Sequence, residues 1–106
     1  MSSNTDSDTH WTFFTNHFHT LLFIARQPGS RLRTIADEVG ITERAAHRIL
    51  GQLASAGYIT VTKTGRRNTY HVMSGTTLRH RANMEVPLEP LIKIVNARAR
   101  DLHMTG

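Results

Sequence analysis

Residues 35–50 read IADEVGITERAAHRIL. Ile35, Ala36 and Val39 before Gly40, and Ala46, Ile49 and Leu50 after it, keep the three- and four-residue spacing of a buried helical face. Gly40 is therefore either a flaw in one long helix or a turn between two short ones. The residues around it favour the turn. Glycine takes the positive φ that ends a helix and redirects the chain, and Thr42 has the side-chain oxygen that an N-cap needs. The spacing predicts a short helix stopped by Gly40, then another opened by Thr42, buried along Ala46, Ile49, Leu50 and Leu53 and closed at Gly57.

Upstream, Trp11, Phe14, Phe18, Leu21, Leu22 and Ala25 recur at helical intervals up to the Pro28-Gly29 turn. Thr15 or Asn16 could instead cap a shorter helix, leaving Trp11 to Phe14 as a separate packing segment. Residues 1–9 are rich in Ser, Thr, Asn and Asp and read as a disordered tail. Downstream the period changes. Tyr58 to Lys63 is β-branched and aromatic, Gly65 offers a turn, and Thr69 to Val72 can return as a partner strand, which makes a hairpin with Thr64 to Asn68 at its tip. Residues 73–84 read as irregular and polar. Leu88, Leu91, Ile92, Val95, Ala99 and Leu102 restore a helical stripe, with Pro87 and Pro90 near its start, where proline is tolerated. The expected organisation is a tail over 1–9, a domain over 10–73, and a linker with a C-terminal helix over 74–106.

Composition bounds the function. A chain of 106 residues suits one domain, and so small a core often gains stability by pairing with a second copy. The net charge of +5 can attract nucleic acid or an anionic surface. There are no cysteines, so disulfides and thiolate metal sites are excluded. No apolar run is long enough to span a membrane, and the start MSSNTDSD has neither the basic nor the apolar region of a signal peptide. A soluble, cytoplasmic protein with no membrane partner is expected.

Three helices and then a hairpin, with a glycine turn between the second and third helices, resemble the winged helix-turn-helix domain of bacterial and archaeal transcription regulators. Ile35, Ala36, Val39, Gly40, Ile41, Ala46 and Ile49 stand where that motif has its apolar residues, its small residue and its turn glycine. Ala56-Gly57-Tyr58-Ile59 and Gly65-Arg66-Arg67-Asn68-Thr69-Tyr70 are similar to its helix end and wing. Within the group the chain looks most like small MarR-like regulators, on an opening segment like Trp11 to His17, a GRRN wing and a Leu78-Arg79-His80 stretch before the last helix. The implied fold is mainly α with a β-hairpin wing: a three-helix core, a two-stranded wing and a C-terminal helix.

The resemblance implies a sequence-specific regulator of double-stranded DNA, with residues 42–56 as the recognition helix in the major groove. Thr42, Glu43, Arg44, His47 and Arg48 lie off that helix's core stripe. Arginine can bond guanine O6 and N7 together, so Arg44 and Arg48 are the first candidates for reading bases, with His47 for a base or a phosphate. Thr42 can cap the helix and so organise a helix N-terminus that favours phosphate; Glu43 fits best as support for the helix dipole. Lys63, Arg66 and Arg67 would meet the DNA backbone or a narrow minor groove from the wing. Arg31 and Arg33 are candidate phosphate contacts that position without selecting sequence. Residues 31–71 hold seven Lys and Arg against three acids, an excess of +4 that contains most of the +5.

The same resemblance implies a homodimer, its interface formed by Trp11 and Phe14 with Leu88, Leu91, Ile92, Val95 and Leu102. A two-fold pair would read a roughly palindromic operator. No cluster of the seven histidines pairs with carboxylates at i, i+3 or i+4 spacing in a way that suggests a closed metal site, and no triad order or phosphate-cradling glycine loop occurs. No enzyme, metal or cofactor is therefore expected, and no effector is identified. The competing readings are a winged-helix protein-interaction module and an ArsR-like metal or ligand sensor.

Overall fold

A computed structural model describes residues 13–105, with the side chains of 83 and 99–105 outside the description. Helix α1 spans Asn16–Arg26, α2 Leu32–Val39 and α3 Glu43–Ser55; strands β1 (Ile59–Thr64) and β2 (Arg67–Val72) follow, and α4 spans Glu89–Thr105. This is the winged helix-turn-helix arrangement, three helices and an antiparallel hairpin.

The shorter of the two readings of the first helix holds. Thr15 Oγ accepts the Phe18 N–H at 3.2 Å, so α1 begins at Asn16 and Phe13 and Phe14 precede it. Trp11 and the tail lie outside the described residues. The buried positions of α1 differ from the expected stripe: Thr20, Leu21, Leu22, Phe23 and Ile24 are all buried, whereas Ala25 is exposed. The physical reason is that α1 is central. It packs against α2, α3, β2 and α4, so it is covered almost all round and its burial loses the one-sided period of a surface helix.

Gly40 adopts φ 85°. The Ile41 N–H then reaches back to the Ala36 carbonyl at 3.0 Å, closing α2 with a Schellman-type bond while Ile35 and Ala36 pack into the core. Thr42 Oγ accepts the Ala45 N–H at 3.0 Å and opens α3, whose buried residues are the expected Ala46, Ile49, Leu50 and Leu53. Its far end closes in the same way, by Tyr58 N–H to the Leu53 carbonyl at 2.9 Å.

The wing is tighter than expected. Thr64 pairs with Arg67 and Lys63 with Asn68, so the tip is only Gly65 and Arg66 rather than Thr64 to Asn68. Gly65, at φ 62°, is the first turn residue and Arg66 has negative φ, the pattern of a type II′ turn, which matches the right-handed twist of two strands. Ile59 and Tyr70 bury the base of the hairpin, and residues 60–68 are exposed.

Residues 73–88 are more ordered than their polar sequence implies. The segment folds back on itself through Leu78 N–H to the Val86 carbonyl and Leu88 N–H to the Thr76 carbonyl, at 3.0 and 2.9 Å, with a short 3-10 turn at Arg81–Asn83. Tyr58 Oη donates to the Thr77 carbonyl at 2.7 Å and ties this excursion to the end of α3. It delivers Leu88 and Ile92 into the core shared by α1, α2, α3 and the hairpin, where both are about 5% exposed or less. Leu88 and Ile92, two of the seven residues expected at a dimer interface, are thus core residues of their own chain, because the excursion returns α4 onto α1. Asn96 Nδ2, buried, donates to the Leu22 carbonyl at 3.1 Å across the same contact. Leu91 and Val95 are half-buried against that core, Ile94 is exposed, and the side chain of Leu102 lies outside the described residues. Among the described residues no helix is long and apolar enough to cross a membrane.

Candidate nucleic-acid interface

Burial of Ala46, Ile49, Leu50 and Leu53 forces the opposite face of α3 outward. Arg44, His47, Arg48, Gly51, Gln52 and Ser55 are all exposed. At about 100° per residue, Arg44, Arg48, Gly51 and Ser55 form the middle of this stripe, with His47 on one flank and Gln52 on the other. Among the described residues the only ion pair joins Lys93 to Glu89 on α4, at 3.6 Å. Arg44, Arg48 and Arg66 therefore have no carboxylate among the described residues to neutralise them. A fully hydrated, unpaired guanidinium costs the fold nothing and is available to an anion.

The start of α3 is prepared for the same chemistry. Thr42 satisfies Ala45, which leaves the Glu43 and Arg44 N–H groups as unpaired donors at the positive end of the helix. Glu43, exposed in the first turn, interacts favourably with that end. Arg31 is the residue just before α2 and Arg33 lies in its first turn, both exposed.

The structure separates the wing's basic residues. Arg66 occupies the tip and Lys63 projects from β1, both exposed, but Arg67 belongs to β2 and its guanidinium Nη2 donates to the Gly29 carbonyl at 2.9 Å. The neighbouring Pro28 carbonyl accepts the Tyr70 N–H, also at 2.9 Å. Arg67 therefore ties the wing to the α1–α2 turn.

Two further features escaped the sequence reading. His17 Nε2 and Gln52 Oε1 lie 2.7 Å apart, linking the first turn of α1 to the exposed face of α3. Gln52 is recognisable four residues after Arg48 on the same stripe, but its partner lies 35 positions away and has no local signal. Arg79, from the excursion after the wing, lines an open groove together with Arg48 and Gln52. Around the start of α1, Phe14 stands at 5.4 Å from Phe13 and 4.7 Å from Phe18, centroid to centroid. Among the described residues no three His, Asp or Glu side chains come together as a metal site.

Comparison with curated proteins returned no match. The sequence model of the MarR family matches residues 14–67, from the residues before α1 through the turn at Gly40 and α3 to the first residue of β2. That segment is 54 of the 106 residues and contains the whole three-helix core, and so the chain belongs to the MarR family, a family of winged-helix transcriptional regulators.

Proposed function

We propose that the protein is a sequence-specific regulator that binds double-stranded DNA as a homodimer. The observation that carries this reading is the exposed stripe of α3, whose arginines have no internal partner and which starts at a capped, electropositive helix end. Arg44, His47 and Arg48 read base edges in the major groove, where arginine recognises guanine through two bonds. Thr42 with the first N–H groups of α3, and Arg31 and Arg33, position phosphates. Arg66 and Lys63 engage the backbone or the minor groove from the wing, and Arg67 holds the wing in place. Dimerisation uses the outer side of the C-terminal segment, where Leu91 and Val95 are half-covered and Ile94 is bare, together with Phe14. Residues 89–105 thereby serve both the domain core and the pairing of two copies.

Selection of bound fragments from the protein's own genome tests the reading. Enriched sites should contain two related half-sites about 34–36 Å apart, one helical turn. On an enriched site, log affinity should fall linearly with log salt, and Arg48→Ala and Arg66→Ala should each reduce the slope by about 0.9 if each loses one phosphate contact. For Arg48 a change in sequence preference is the alternative signature of a base contact. No enrichment together with a salt slope of zero would leave the interaction-module reading in its place.

A further inference from the structure

An inserted helix in a major groove about 12 Å wide has a phosphate strand on each side. The stripe of α3 likewise has two flanks, and the Gln52 flank opens into a groove that no sequence argument assigned. The groove runs between α3 and the excursion 76–88, with Arg48 and Gln52 on one wall and Arg79 on the other. His17, Thr15 and Ser55 also line it. Among the described residues no carboxylate does.

We propose that this groove is a second phosphate-binding face, in which Arg79 grips the DNA strand that passes the Gln52 flank of α3. The proposal rests on the DNA reading and extends its footprint beyond the recognition helix and wing. Three observations support it. First, Arg79 stands on a braced segment: its neighbour Leu78 is half-buried against the core and bonded to Val86, and Thr77 is bonded to Tyr58 Oη. Bracing means that little backbone freedom is lost when the arginine engages an anion. Second, Arg79 and Arg81 are exposed and unpaired, and Glu85 is the single acid in residues 73–88. Third, the 2.7 Å contact of His17 with Gln52 ties the start of α1, which also lines the groove, to α3. The described lining sets Arg48 and Arg79, with no acid, beside a largely apolar surface that includes Phe18, Leu53 and Tyr58, a charge suited to phosphate contact rather than to base reading.

Salt titrations of the full-length protein by fluorescence anisotropy, on a random-sequence duplex and on a selected site, test this. The expected result for Arg79→Ala is a loss of affinity by the same factor on both duplexes and a salt slope smaller by about 0.9, with Arg79→Lys retaining the slope. Hydroxyl-radical protection should shorten on one strand at one edge of each half-site. Because Arg79 has no partner among the described residues, the thermal midpoint of Arg79→Ala should match that of the parent, which separates lost contact from lost fold. If Arg79→Ala keeps the full slope while Arg66→Ala or Arg48→Ala does not, the groove is not a phosphate site and the DNA reading stands. If the unaltered protein itself shows no salt-dependent binding, both fall.

Discussion

The guanidinium of Arg67 donates to the Gly29 carbonyl at 2.9 Å, one residue from the Pro28 carbonyl that accepts the Tyr70 N–H. These two bonds join β2 to the turn between α1 and α2, above the point where Ile59 and Tyr70 bury the wing's base. Arg67→Ala should therefore release the outer wing without unfolding the domain, since an exposed hydrogen bond contributes only about 1 kcal/mol. Amide hydrogen exchange at Tyr70 should speed up, and DNA affinity should fall with the salt slope retained, unlike the smaller slope of Arg66→Ala. A slope loss equal to that of Arg66→Ala would make Arg67 a direct phosphate contact instead.

Gly40 has open space around an added Cβ but a φ of 85°. The cost of substitution there is conformational rather than steric, about 1–2 kcal/mol for an ordinary L-residue. Gly40→Ala should lower the thermal midpoint by several degrees, at roughly 4–8 °C per kcal/mol for a domain of this size. Gly40→Asn, which tolerates the left-handed region better, should lose less. Equal midpoints for all three proteins would show that the turn does not need a glycine.

Thr20 is fully buried in α1 and its hydroxyl has no hydrogen-bond partner among the described residues. Thr20→Val keeps the shape and removes an unsatisfied polar group, whose burial costs about 1–3 kcal/mol. Chemical denaturation should show the variant to be more stable with an unchanged m-value. A destabilised Thr20→Val would indicate that the hydroxyl is satisfied in solution.

Ile92 and Ile94 lie on the same helix, one buried at 5% exposure and the other bare at 62%. Ile92→Ala should cost about 2–5 kcal/mol as a core truncation, whereas Ile94→Ala should leave monomer stability nearly unchanged. Analytical ultracentrifugation of Ile94→Ala should show weaker self-association if the outer side of α4 pairs two copies. An unchanged association constant would move the interface elsewhere.

The helix-turn-helix was legible because each of its signals is local. Gly40 ends α2 through a bond to Ala36, Thr42 opens α3 through a bond to Ala45, and the stripe from Ala46 to Leu53 repeats at helical spacing. The exposed arginines of α3 followed directly, since they are what the buried stripe leaves over. Periodicity failed at α1, where Phe23 and Ile24 are buried and Ala25 is not, because a helix packed on several sides has no single polar face. The polar run after Met73 is irregular, as its sequence reads, and the backbone bonds that fold it back leave no side-chain pattern to detect.

The chain's order of elements, its turn, its caps and its basic excess were determined by the sequence alone, because each depends on residues within a few positions or on composition. Tertiary structure decided the rest. Arg67 meets Gly29 across 38 positions, His17 meets Gln52 across 35, and Asn96 meets Leu22 across 74. No local rule links residues so far apart: a basic side chain reads alike in sequence whether it braces the wing, as Arg67 does, or stays unpaired at its tip, as Arg66 does. Only the packing of the wing and α4 onto α1 separates them, because that packing sets which backbone acceptors lie within a hydrogen bond's reach.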